Sequence, residues 1–180
     1  MRKIVTGLFI SLDGVVESPS DWLLSNHEMW EVISAGIAQS DAILLGRRTY
    51  LQFAEIWPNQ GSDVPMADFL NNTPKHVVSS TLDTLDWANS SLVTGDLAGE
   101  VAKLREQPGK NIQIPGSPTL VRSLLRDGLL DELTLMVHPI VVGSGMRLFD
   151  AITDQVHLKL VESTTLSTGV LSVTYQPTSG

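Results

Sequence analysis

The chain has 180 residues, 42% apolar and 18% charged, which fits one globular domain with a substantial buried core. Its formal charge of −8 argues against a general nucleic-acid or anionic-membrane surface, so any phosphate site must be a local set of donors. There is no cysteine, which excludes disulfides, iron–sulfur clusters, thiolate zinc sites and cysteine nucleophiles, and His27, His76, His138 and His157 are scattered without metal-ligand spacing.

The opening residues, MRKIVTGLFISLDG, carry an apolar run too short for a signal peptide, interrupted by Gly7 and Asp13. No stretch approaches the roughly 18–20 apolar residues needed to span a membrane, so a cytoplasmic protein is expected. Residues 4–10 are β-branched and apolar and end at the turn signal Ser11-Leu12-Asp13-Gly14. Over residues 25–39, Met29, Val32, Ile33, Gly36 and Ile37 recur at helical spacing. Residues 42–45 form a short unbroken apolar run that suits a strand buried on both faces.

Gly46-Arg47-Arg48-Thr49 opens a second helix that stops near Trp57-Pro58, and a short helix is expected over residues 66–70. Val77-Val78 reads as a strand closed by Ser79-Ser80-Thr81, and residues 91–94 as another. Gly95-Asp96 leads into an amphipathic helix through Val101 and Leu104, ended by Pro108-Gly109. Residues 112–114 form a strand, after which Ser117 stands at the N-cap, Pro118 at the first helical position and Gly128 near the end of a helix.

From Asp131 onward only strands are expected, over residues 133–142, 156–162 and 170–176. The order predicts an α/β domain: a mainly parallel central sheet, flanked by helices and finished by antiparallel strands. No repeat, low-complexity tract or linker interrupts it.

Ligands of such sheets collect at the carboxyl ends of the strands, where helix N-termini present free N–H groups. Three segments suit an anion there. Gly46 permits close backbone approach, while Arg47 and Arg48 sit in a first helical turn, where cations are unfavourable unless an anion binds. They are otherwise two solvated arginines. The hydroxyls of Ser79, Ser80 and Thr81 can surround a ribose or phosphate, or simply make a turn. Pro115-Gly116-Ser117-Pro118-Thr119 can cradle a pyrophosphate on backbone N–H groups, or merely cap its helix.

Gly143-Ser144-Gly145 lacks the third glycine and following helix of a dinucleotide fingerprint and reads as a loop between late strands. No P-loop lysine occurs.

Taken in order, Ser11-Leu12-Asp13-Gly14-Val15-Val16, Leu45-Gly46-Arg47-Arg48-Thr49-Tyr50, Val78-Ser79-Ser80-Thr81-Leu82, Gly116-Ser117, Gly128-Leu129-Leu130-Asp131-Glu132-Leu133 and the segment from His138 to Gly145 span nearly the whole chain. This set resembles the reductase domain of riboflavin biosynthesis, the C-terminal part of bifunctional deaminase-reductases, and its stand-alone relatives. The resemblance implies a dihydrofolate reductase-like three-layer α/β/α fold, NADPH as cofactor, a small-molecule substrate and a homodimer. It implies that Gly46, Arg47, Arg48 and Thr49 contact the cofactor phosphates, and that Ser79, Ser80 and Thr81 hold the adenosine ribose or its 2′-phosphate. Gly116, Ser117, Pro118, Thr119 and Leu120 would surround the pyrophosphate. Pro115 departs from the small residue common there and removes one N–H donor.

Asp13 and Gly14 would lie in the loop beside the nicotinamide. For a protonating acid, His27, Glu28 and Glu31 stand on the first long helix, with Glu28 preferred in its first turn; a glutamate favoured there by the helix dipole is the competing account. Trp22, Trp30 and Trp57 could stack on a flat ring or serve the core. His138, before Pro139, reads as structural. The expected reaction is hydride transfer from NADPH to a C=N or C=O group of a small heterocyclic or carbonyl substrate. The alternative is a non-catalytic nucleotide-binding or ligand-sensing protein on the same scaffold. Zinc deamination is excluded by the lack of cysteine.

Overall fold

The computed structural model describes residues 1–178. Its strands are β1 (Ile4–Ser11), β2 (Ser40–Gly46), β3 (Lys75–Val78), β4 (Ser90–Val93), β5 (Asn111–Ile114), β6 (Glu132–His138), β7 (Leu158–Thr165) and β8 (Leu171–Pro177). The helices are α1 (His27–Ile37), α2 (Arg47–Ile56), α3 (Ala67–Asn72), α4 (Leu97–Glu106) and α5 (Pro118–Arg126). All eight strands form one sheet in the order β4-β3-β2-β5-β1-β6-β8-β7. The first six positions are joined by parallel pairings, while β8 runs antiparallel to both β6 and β7. The first strand to be made thus occupies the interior of the sheet, between β5 and β6.

Helices cover both faces because the central strands are apolar on both. Ala42 and Leu44 of β2 join Ile4, Leu8, Ile112 and Leu133 beneath α4 and α5, which contribute Val101, Leu104, Val121 and Leu124. Ile43 and Leu45 point the other way, onto Tyr50 of α2 and Leu70 of α3. On that same side α1 packs Met29 over Met136, with Phe9 and Trp30 beside them. This is the three-layer α/β/α arrangement of a dihydrofolate reductase-like domain. Among the described residues no helix is long and apolar enough to cross a membrane, and no three His, Asp or Glu side chains group as a metal site.

Helix boundaries follow local chemistry. Asn26 caps α1 by accepting from the Met29 amide at 2.9 Å, and Asp96 caps α4 by accepting from the Gly99 amide at 2.9 Å. Helix α2 ends in a tighter turn, Trp57–Asn59, where Pro58 cannot donate. Lys75 is fully buried; its ammonium donates to the carbonyls of Leu70, Asn71 and Thr73 at the end of α3 and lies 4.4 Å from the Trp87 ring centre.

Three expectations are corrected. The strand expected to run to residue 142 stops at His138, because Pro139 has no amide to donate to a ladder and the chain turns toward Asp13. The strand expected over 156–162 lies at Leu158–Thr165, with a bulge between Leu160 and Glu162 that breaks its alternation. Ser117 occupies the N-cap of α5, but its side chain does not cap the helix.

Candidate cofactor and active site

Strands β2 and β5 are neighbours, so the turns leading into α2 and α5 lie side by side at the carboxyl edge of the sheet. Ser117 adopts a left-handed backbone, φ 62°, and directs its hydroxyl across to the other turn, where it accepts the Gly46 amide at 2.8 Å. Gly116 has φ 128°, a conformation that strains any side chain, and a Cβ there would lie 3.2 Å from Thr49 Cγ2, a tight contact. Thr49 is buried against this turn. No side chain caps α5, and Pro118 at its first position has no N–H. The turn therefore offers backbone N–H groups to an anion at a positive helix end. Leu120 buries its side chain in the core, which leaves only its backbone for a ligand, and the Thr119 hydroxyl accepts from Arg122 Nη2 at 3.2 Å.

The second part of the site comes from the parallel pairing of β3 with β4. Val78 stands opposite Val93, so Ser79-Ser80-Thr81 emerge beside Thr94-Gly95. Together with Arg47 they line a cavity of about 370 Å³. The Ser79 hydroxyl accepts from the amides of Thr81 at 3.2 Å and Leu82 at 3.1 Å, which fixes the turn. Arg47 thus faces this cavity, whereas Arg48 is exposed and does not line it. Thr94 and Gly95 were not anticipated. Their place depends on strand register, for which residues 91–95 carry no local signal.

A guanidinium with several hydroxyls fits a phosphate monoester on a ribose, and the neighbouring N–H turn fits a pyrophosphate. The donor set therefore fits NADPH.

Asp13 fastens two loops together. Its carboxylate accepts from the amides of Val142 at 3.0 Å and Gly143 at 2.8 Å and from the Ser11 hydroxyl at 2.6 Å. Arg147 completes the clasp, donating to the Asp13 carbonyl at 2.9 Å and standing 3.5 Å from its carboxylate. Glu17 adds a second tie by accepting from the Met146 amide at 3.0 Å. The loop after β1 is thereby fastened to the Gly143-Ser144-Gly145 loop. These donors, the Ser11 hydroxyl foremost, hold the Asp13 carboxyl well below the usual carboxylate range.

Glu28 is similarly engaged. One oxygen accepts from both the amide of Ser167, at 2.8 Å, and its hydroxyl, at 2.7 Å, in the turn between β7 and β8. The Ser167 amide is the chief cause that lowers its carboxyl from the ordinary value. The hydrogen-bond donors around Asp13 and Glu28 thus favour the charged form of both carboxyls. His27 pairs loosely with Glu31 at 3.3 Å on an exposed face.

Trp22, Trp30 and Trp57 each pack against another aromatic ring. Trp22 donates to the Glu17 carbonyl at 3.0 Å and meets the His138 ring edge-on, Trp30 donates to Ser25 Oγ at 2.8 Å and meets Phe9, and Trp57 meets Phe53. His138 is fully buried, and its Nδ1 accepts the Leu24 amide at 3.1 Å. Burial lowers its pKa, so the ring is neutral with the proton on Nε2.

Comparison with known proteins agrees with this architecture. The chain is 31% identical over 181 residues to the Bacillus subtilis (strain 168) protein YyaP, covering 97% of this chain and 94% of that one. A putative riboflavin biosynthesis protein from Shewanella sp. PV-4 superposes with a TM-score of 0.81 at 21% identity, over 99% of this chain and 100% of the other. Dihydrofolate reductase from Enterococcus faecalis, solved with NADP(H), gives a TM-score of 0.64 at 14% identity, over 98% and 97% of the two chains. Residues 2–172 match the RibD C-terminal domain family, and the chain belongs to that family.

Proposed function

We propose that this protein is an NADPH-dependent reductase of a small heterocyclic or carbonyl compound. The observation that carries the reading is the joining of the two anion-ready turns through Gly46 and Ser117, beside a cavity holding Arg47 and the hydroxyls of Ser79, Ser80 and Thr81. The first suits a pyrophosphate and the second a phosphorylated ribose.

When bound, NADPH supplies the hydride. The chain's own part is positioning. Ser117 holds the two turns at a fixed separation, and Arg47 neutralises phosphate charge on a protein of net charge −8. The clasp of Asp13 on Val142 and Gly143 fixes the loop after β1 against the loop after β6. With Asp13 and Glu28 ionised, the proton that completes reduction comes from water.

The same observation, no protonated carboxyl among the two candidates, is what a non-catalytic nucleotide-binding protein would also present. Tryptophan fluorescence titrated with NADPH and NADH tests the cofactor, with saturation by NADPH below millimolar concentration expected. Binding of neither nucleotide overturns the proposal. Oxidation of NADPH in the presence of a pterin, aminopyrimidine or quinone-like compound separates the enzyme from the binding protein.

A further inference from the structure

Residues 17–26 carry the chain from the loop after β1 into α1. Their turns are closed locally: the amides of Asp21, Trp22 and Leu23 reach back to the carbonyls of Ser18 and Pro19, and the Trp22 indole donates to the Glu17 carbonyl. The two ends are pinned, Glu17 by the Met146 amide and Asn26 by its bonds to Met29 and Ser167. Between those ends, one hydrogen bond among the described residues ties residues 18–25 to the sheet. The Leu24 amide donates to Nδ1 of His138 at 3.1 Å.

His138 is the last residue of β6 and stands level with Ser11 at the end of β1. Because β1, β2, β5 and β6 run parallel, this is the edge of the sheet that also carries the Gly46 and Ser117 turns. The ring is fully buried, edge-on to Phe9 at 5.8 Å and to Trp22 at 5.6 Å between ring centres. With Nδ1 accepting, the proton sits on Nε2, and that N–H is buried without an acceptor. An unmet buried donor is costly, and a leucine or phenylalanine would fill the same space without it. An apolar side chain could not accept the Leu24 amide in one protonation state and refuse it in the other.

Protonation reverses the contact. Nδ1 then carries a hydrogen that faces the Leu24 N–H, donor against donor. A positive ring with two N–H groups would sit in a site that offers neither an acceptor, between aromatic rings that carry no charge. The charged groups on the surrounding elements are Asp13, Glu17 and Asp21 after β1, Arg147 after β6, and His27, Glu28 and Glu31 on α1. Asp13 is held by Val142, Gly143 and Arg147, Glu17 by Met146, and Glu28 by Ser167, while His27 and Glu31 pair with each other. None of them offsets the burial that lowers the histidine.

We propose that His138 is an acid-released latch: its neutral ring holds residues 18–25 against the sheet, and its protonation frees them at the carboxyl edge of β1 and β6. The device does not depend on the reductase reading. Freed, the ring meets water and titrates at the ordinary 6.5, whereas latched it titrates lower. The latch is therefore closed above pH 6.5 and loosens as pH falls below that, until the lowered value is passed.

Amide exchange followed by NMR tests this between about pH 7.5 and 5, read as protection factors so that the intrinsic pH dependence of exchange is removed. In the wild type, Leu24 should lose protection below the ordinary histidine value, at up to about tenfold per pH unit, while the amides of β2 keep theirs. The ring protons of His138 should titrate through the same transition. His138→Asn places a carboxamide oxygen near the position of Nδ1 and cannot be protonated, so Leu24 should stay protected and the acid loss should vanish. His138→Leu has no acceptor, and Leu24 should exchange at every pH as fast as the wild type does in acid. The proposal is overturned by wild-type protection of Leu24 that ignores pH, by an acid loss that persists in His138→Asn, by protection that survives in His138→Leu, or by a loss shared equally with β2. Should a variant fail to fold, the wild type decides alone: separate midpoints for the His138 ring and the Leu24 amide overturn the latch, and a shared one supports it.

Discussion

The Ser117 hydroxyl accepts the Gly46 amide at 2.8 Å, joining two turns that lie 71 residues apart in the chain. Ser117 can do so because its left-handed backbone aims the side chain away from its own helix. Ser117→Ala removes the acceptor and keeps the strain, so it should cost about 1–2 kcal/mol of stability. Ser117→Gly also loses the bond but relieves the backbone, and should be the milder of the two. Thermal unfolding of the three proteins should give the order wild type, Gly, Ala, with NADPH affinity reduced in both variants.

Arg47 and Arg48 are adjacent in sequence but not equivalent in space. Arg47 lines the cavity with Ser79, Ser80 and Thr81, and Arg48 does not. Arg47→Ala should weaken NADPH by roughly tenfold, the scale of one charge-assisted contact, and leave NADH nearly unchanged. Arg48→Ala should change both by less than about threefold. Fluorescence titration of each variant with each nucleotide makes the comparison, and equal losses for Arg47→Ala would place that side chain elsewhere.

Glu28 spends its carboxylate on Ser167. If it is no proton donor, Glu28→Gln should leave the shape of the pH–rate profile intact. The change should surface instead as faster amide exchange at Ser167, which loses a charged acceptor. Disappearance of a titrating limb in the variant would restore the catalytic assignment.

Lys75 supplies a test by pH. Burial pushes its ammonium down to about 8 from the ordinary 10.5. Between those values the unfolded chain retains a proton that the folded chain has released. The burial cost is therefore complete below pH 8 and is relieved as pH rises toward 10.5. Wild-type stability measured against Lys75→Met should rise across that window. At neutral pH the substitution should still destabilise, by about 1–3 kcal/mol, because it strands three carbonyls at the end of α3.

The parts of the fold legible in the sequence are those set by local chemistry. Residues 42–45 are apolar without alternation because β2 is covered on both faces, and that alone marks an interior strand. The glycine and hydroxyl residues of the three turns are legible for the same reason, since they follow apolar runs directly. What was hidden depends on partners distant in the chain. Asp13 meets Val142 and Gly143 after a separation of about 130 residues, and nothing near Asp13 announces them. Thr94 and Gly95 reach the cavity only through the register of β3 and β4. Ser117 looked like an ordinary cap because its backbone conformation cannot be read from Gly-Ser-Pro.

The interior position of β1 has a further consequence for how the protein comes into being. Its two neighbours, β5 and β6, are supplied by residues 111–114 and 132–138, so the first strand leaves the ribosome with neither edge available to pair. The apolar stretch from Ile4 to Ile10 stays unpaired until β5, residues 111–114, has been made, and its other edge waits for β6 at residues 132–138. Folding of this domain should accordingly be slow and late, and truncations before β6 should aggregate rather than assemble a partial domain.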